Sequence, residues 1–147
     1  MTETRRDLPQ LLGEARRWFE EGLLAALEAD GIPPVTPPQV QLFAALDQDG
    51  TTVAELARRT GVTRQTVHQA VHSLVAAGLL EQVPDPASAR QRLIRRTAAG
   101  RRAHDRARRA LDHLEARLAD RIGADAVSAL RAALEAPWGE PPVSGGA

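Results

Sequence analysis

The 147-residue chain has no cysteine and no tyrosine, and aromatic residues make up only 3% of it. Without cysteine there are no disulfides, zinc–thiolate centres or thiol redox chemistry. With so few aromatics, the core has to be built from Leu, Val, Ile and Ala. Lysine is missing too, so the nineteen Lys and Arg positions are all Arg. Codon bias in a GC-rich genome accounts for that choice, although Arg is also the better fork for phosphates and base edges. No apolar run approaches the roughly 20 residues that span a bilayer. The N-terminus "MTETRRDLPQ" has no apolar segment after its arginines, so it does not read as a signal peptide. A soluble, cytoplasmic protein is expected.

Catalytic constellations are also lacking. There is no Gly-rich phosphate loop and no acid–base pair at a distinctive spacing. His68 and His72 stand one helical turn apart, but two ligands do not fill a tetrahedral metal site. His104 and His113 fall about half a turn out of phase on an ideal helix, so they cannot share a ligand within one chain. Either can line a pocket between helices. The reading expects no enzyme activity, no metal and no cofactor.

What is present is charge segregation. The net charge is zero, yet residues 58–109 hold twelve arginines against Glu81, Asp85 and Asp105, a local charge of +9. The remainder carries −9. A basic surface on an acidic body suits a polyanionic partner.

Hydrophobic spacing organises the chain. Leu8, Leu11, Leu12, Ala15, Trp18, Phe19, Gly22, Leu23, Ala26 and Leu27 follow one face of a 3.6-residue period. They predict a long amphipathic helix ending near Asp30-Gly31, with Trp18 and Phe19 as packing residues. "GIPPVTPP" is a turn, and Thr36 with Gln39 has capping-box spacing. Val40, Phe43, Ala44 and Leu46 are expected to face inward until "DQDG". Thr52 and Glu55 open a short helix closed by Gly61. Thr63 is a plausible N-cap for the next helix, which runs to about Ala77. "LLEQVP" and "RLIRR" read as short strands, with "DPASARQ" between them as a turn with a basic tip. Thr97 can cap a long helix to about Ile122, and "ADAVSALRAALEA" makes a last one. "WGEPPVSGGA" is expected to be loose.

A helix-turn-helix needs two helices packed steeply through a short turn. Ala57 allows the close crossing, Gly61 tolerates positive φ, and Val62 can plug the turn. Val67, Ala70, Val71 and Leu74 form the inward stripe of the second helix. Arg64, Gln65, His68, Gln69 and His72 are left on its outer side. A helix of this kind places its N-terminal residues on base edges in the major groove. Arg–guanine and Gln–adenine are the favoured bidentate pairs, and Thr66 suits a phosphate. The two strands and basic turn that follow point to a winged helix.

The segments "TPPQVQLFAAL", "TVAELARRTGVTRQTVHQAVHSLVAAGLLEQVPDP" and "LIRRTAAG" resemble the MarR family of bacterial transcriptional regulators. The resemblance implies a mainly α fold with a small β-wing, a winged helix-turn-helix flanked by N- and C-terminal dimerisation helices. The expected parts are an N-terminal dimerisation helix (1–35), a DNA-binding domain (36–100), C-terminal dimerisation helices (101–136) and a flexible tail (137–147). It further implies a homodimer on a palindromic operator in double-stranded DNA, usually repressing and often released by a small lipophilic or anionic ligand. Thr63, Arg64 and Thr66 match the start of the family's recognition helix, and Gln65, His68 and Gln69 fall on its groove-facing side. Arg90 matches the wing-tip arginine that enters the minor groove. The wing departs from the family's Asp-Pro-x-Asp-Arg-Arg. Ser88 stands where an acid braces the arginine and Ala89 where a second arginine stands, leaving Arg92 to share the contact. Arg96 stands where the family commonly has Leu. Arg95, Arg96 and Arg101 are candidates for further phosphate contacts. Two other readings stay open: a non-specific architectural DNA-binding protein, and a winged helix used as a protein-interaction module.

Overall fold

The computed structural model describes residues 4–143, so residues 144–147 of the expected loose tail lie outside the described residues. Six helices and one hairpin follow in the order α1 (Leu8–Ala29), α2 (Pro37–Ala44), α3 (Val53–Thr60), α4 (Arg64–Ala76), β1 (Leu80–Asp85), β2 (Ser88–Arg96), α5 (Ala98–Ile122) and α6 (Ala124–Glu135). The chain divides into two compact units, residues 1–111 and 112–147.

Short polar side chains start the helices of the first unit. Asp7, Thr36, Thr52 and Thr63 each accept the backbone N–H three residues on. At Thr36 the box is reciprocal, because Gln39 Oε1 accepts from the Thr36 N–H at 3.0 Å. Each such cap is worth about 1 kcal/mol. Gly61 ends α3 in the left-handed region at φ 72°, and its N–H donates to Ala57 O at 2.9 Å. No side chain with a Cβ adopts that conformation cheaply, so α4 can leave at a steep angle only here.

The core of the first unit lies under α4. Leu56 and Val67 are fully buried, and Val71, Leu74, Leu80 and Ile94 nearly so. Leu42, Leu46, Leu79 and Ala103 complete the cluster. Burying each Val, Leu or Ile contributes roughly 1.5–3 kcal/mol. Two expected core positions differ. Ala44 is exposed and Leu42 is buried in its stead, because α2 turns its Leu42–Leu46 edge towards α4. Val62 is 40% exposed and plugs nothing. The first two turns of α1 are also open. Leu8 is 69% exposed, and burial begins only at Leu23 and Leu27. Trp18 and Phe19 are half-buried and meet edge to face at 4.9 Å.

The wing is an antiparallel hairpin whose turn is only Pro86-Ala87, so β2 begins at Ser88, earlier than expected. Its ladder pairs Leu80 with Arg96 through to Pro84 with Arg92, then slips and pairs Asp85 with Ser88. Pro84 has no N–H to offer the ladder, and residues 89–91 bulge beside it. Arg90 therefore belongs to the bulged strand and not to a turn. Thr51 adds a one-residue third strand by exchanging both backbone hydrogen bonds with Ile94 at 2.9 Å.

Backbone contacts fasten α5 to the end of α4. Thr97 Oγ1 donates to Gly78 O at 2.6 Å and accepts from the Gly100 N–H at 3.0 Å. The Thr97 N–H donates to Leu79 O. Gly100 is buried there, and an added Cβ would sit 2.0 Å from the Leu79 carbonyl oxygen. In the second unit, Arg131 pairs with Glu115 at 2.5 Å, and Trp138 Nε1 donates to Ala133 O at 2.8 Å.

Gly100→Ala is expected to cost about 3 kcal/mol, because both sides of the contact are backbone and neither can yield. Thermal unfolding should show a Tm lower by roughly 10 °C. A second expectation concerns Arg59, which clasps Asp47 through two 2.9 Å hydrogen bonds and Glu55 through a third. The hydrogen bonds from Arg59 hold the Asp47 carboxyl below the usual carboxylate range. A depressed carboxylate stabilises the fold above its unfolded pKa, and that contribution is lost as pH falls through the folded one. Asp47→Asn should therefore lower stability in urea at pH 7, and the difference from the parent chain should shrink as pH falls below about 4, the ordinary Asp value.

Candidate nucleic-acid interface

The roll of α4 decides which side chains reach a partner. With Val67, Val71 and Leu74 buried, Arg64, Gln65, Thr66, His68, Gln69 and His72 are all exposed. Thr63 and Thr66 are coupled, with their hydroxyls 2.9 Å apart and the Thr63 Oγ1 accepting from the Thr66 N–H at 3.1 Å. This pair stands at the N-terminus of α4, where free backbone amides favour an anion.

Arg64 and His68, one turn apart on α4, line a cleft of about 300 Å³ with Arg92, Gln82 and Gln91 of the wing and Thr52 at the start of α3. The lining contains two arginines and no acid, a surface suited to a phosphate backbone or a base edge. Gln65, Thr66 and Gln69 are exposed beside the cleft and do not line it. Gln82 and Gln91 were not anticipated from the sequence. The pairing of Gln82 with Ile94 and of Pro84 with Arg92 brings the wing's polar side chains towards α4.

The remaining arginines sort by partner. Arg58 and Arg59 pair with Glu55, and Arg59 also with Asp47, so both serve α3 and its approach loop. Arg95 is held by Glu81 at 2.7 Å across the hairpin. Arg96 corrects an expectation. It turns inward, donating through Nη2 to Phe43 O at 2.6 Å and lying 5.0 Å from the Phe43 ring centroid, away from the cleft between α4 and the wing. Arg101 is exposed and donates to Arg96 O. Arg90 is exposed outside the cleft, and its guanidinium has no side-chain partner among the described residues. Ser88 accepts from the Arg90 backbone N–H at 3.4 Å, and Asp85 accepts from the Ala87 N–H at 2.9 Å. The wing thus braces its own backbone and leaves the Arg90 side chain unbraced.

Two helices joined through a left-handed glycine, followed after the second by a two-stranded hairpin whose side chains share a cleft with Arg64 and His68, define a winged helix-turn-helix. The model of the MarR family matches residues 34–91, which include this winged helix up to the second strand. No curated protein matches the chain. Among solved structures, the MarR-family protein Rv2887 of Mycobacterium tuberculosis, in complex with salicylic acid, is 28% identical, covering 90% of this chain and 96% of that one at a TM-score of 0.67. A MarR-family transcriptional regulator from Rhodococcus sp. RHA1 is 22% identical over 92% of this chain and 94% of that one, with a TM-score of 0.73. The transcriptional repressor CouR of Rhodococcus jostii RHA1, bound to a 23-mer DNA duplex, is 24% identical over 87% and 89%, with a TM-score of 0.72.

The geometry separates the arginines by expected effect. Arg64→Ala should cost about 1–3 kcal/mol of discrimination between a preferred and an unrelated duplex. Arg90→Ala should weaken both duplexes alike and reduce the log–log salt slope by about 0.9. Fluorescence anisotropy titrations at several salt concentrations would read both.

Proposed function

We propose that the chain is a sequence-specific DNA-binding transcriptional regulator and not an enzyme. In this reading it acts as a homodimer on a palindromic operator, as a ligand-responsive repressor. The observation that carries the reading is the acid-free cleft in which Arg64 and His68 of α4 meet Arg92 of the wing. Thr63, Gln65, Thr66 and Gln69 extend that surface along α4, and Arg90 extends it along the wing. Such a protein works in the cytoplasm, and no helix among the described residues is long and apolar enough to cross a membrane.

Dimerisation through residues 1–35 and 101–136 is supported by apolar side chains that the single chain leaves in water. Leu8, Leu11 and Leu12 on α1 are exposed, as are Ile122 at the end of α5 and Leu130 and Leu134 on α6. Unpartnered apolar faces of this kind mark interaction surfaces. Two recognition helices then enter successive major grooves about 10–10.5 bp apart. The ligand response is supported by a small apolar cavity of about 40 Å³ among Leu27, Ile32, Val35, Phe43, Leu74 and Leu79. It is also supported by two structural neighbours, CouR solved with p-coumaroyl-CoA and Rv2887 solved with salicylic acid. A ligand wedged between α1 and α4 shifts the spacing of the recognition helices and so forfeits simultaneous contact.

The purified protein is expected to bind the DNA upstream of its own gene at least tenfold more tightly than unrelated DNA at ~150 mM salt, with two chains per site. Binding without sequence preference would instead describe an architectural protein, and no DNA binding would leave a protein-interaction module.

A further inference from the structure

His68 is an exposed histidine set among cations. It lines the cleft between α4 and the wing with Arg64, one turn before it, and with Arg92 of β2. The start of α3 adds only uncharged residues to that cleft, and the wing adds Gln82 and Gln91. The carboxylates of the same elements are turned to other partners. Glu55 of α3 answers Arg58 and Arg59, and Glu81 of β1 answers Arg95. Asp85 accepts the Ala87 N–H at the end of the hairpin. Among the described residues His68 makes no ion pair. His72, one turn further along α4, is exposed and lies outside the cleft. An anion that meets His68 in this cleft must therefore come from a partner.

DNA in the proposed complex brings one. An α-helix with its side chains is about 10–12 Å across, and the major groove is about 12 Å wide. With α4 in the groove, no room is left beside it for the hairpin. The wing has to stand across the sugar–phosphate strand that walls the groove, and that strand runs through the cleft between them. Its phosphates then face Arg64, His68 and Arg92 together. Arginine is charged at every working pH. Histidine ordinarily changes its charge between pH 5 and 8, and a phosphate beside it favours the charged form.

We propose that the cleft seats a backbone phosphate and that His68 takes up a proton as the phosphate enters. DNA binding by this chain is thereby proton-linked and tightens as pH falls. The inference rests on the DNA-binding reading above and adds the ligand of the cleft and a dependence on pH. Linkage sets the sign. The bound state holds more protons than the free one, so affinity rises towards acid, by up to about tenfold per pH unit for each proton taken up. The contact is to backbone, so a preferred and an unrelated duplex respond alike. His104, by contrast, is held below the ordinary histidine range by burial and charges at lower pH.

The test is a fluorescence anisotropy titration of the full chain with its upstream duplex and with an unrelated duplex, at about pH 6, 7 and 8 and fixed ionic strength. The parent's affinity for both duplexes is expected to rise about tenfold from about pH 8 to about pH 6. His68→Gln should bind equally at all three values. His68→Arg, whose charge is fixed, should bind at about pH 8 as tightly as the parent does at about pH 6. His72→Gln should keep the parent's pH dependence. Calorimetry in buffers of different ionisation enthalpy should show proton uptake on binding by the parent and none by His68→Gln. Parent affinity that does not change with pH, a pH dependence that survives in His68→Gln, or one that is lost in His72→Gln would each overturn the proposal. An acid response confined to the upstream duplex would put His68 on a base edge and overturn the phosphate seat. The two readings fail separately. A pH response on both duplexes without preference for the upstream one defeats the sequence-specific regulator and leaves the proton linkage standing, and preference without a pH response does the reverse.

Discussion

Everything in the first unit hangs on the burial of one stripe of α4. Val67, Val71 and Leu74 share one buried cluster with Leu56 of α3 and with Leu80 and Ile94 of the wing. A helix buried along so narrow a stripe has one available roll. That roll sends Arg64 and His68 outward to meet Arg92. The same core sets the wing, because Ile94 is both a buried side chain and the residue whose backbone pairs with Thr51. Core packing and the geometry of the candidate interface are thus one constraint.

Around that stripe, the basic segment divides its labour. A local charge of +9 suggests a uniformly sticky surface, yet many of its arginines already have work inside the fold. Arg58 and Arg59 answer Glu55 and Asp47, Arg95 answers Glu81, and Arg96 serves Phe43. The arginines without such partners include Arg64 and Arg92, which converge on the cleft, and Arg90, which stands on the bulged strand. Charge composition alone overstates the surface available to a polyanion. The distribution of carboxylates within reach decides it.

Much of the fold was legible because its signals are local. Thr36, Thr52, Thr63 and Thr97 announce helix starts by hydrogen bonds that span three residues, and Gly61 announces a turn that only a residue without Cβ takes easily. The stripe of α4 is a period-3.6 pattern that survives intact. The misjudged positions, Ala44 and Val62, lie where a helix of two turns or a tight turn can rotate by one residue without spoiling its local pattern. There a neighbour makes the choice, as α4 does in burying Leu42.

By itself, the sequence determined the element order, the helix caps, the helix-turn-helix spacing and the outer face of α4, since each depends on residues within about one turn of one another. Tertiary structure alone decided the rest. It showed that Gly100 is glycine because α5 crosses the Leu79 carbonyl with no room for a Cβ. It brought Gln82 and Gln91 to the cleft through a cross-strand register, and put Arg96 under Phe43 instead of on the surface. These facts join residues from 12 positions apart, as Gln82 and Ile94, to 53 apart, as Phe43 and Arg96. No local pattern carries the distance between such residues, which is set only when the elements pack.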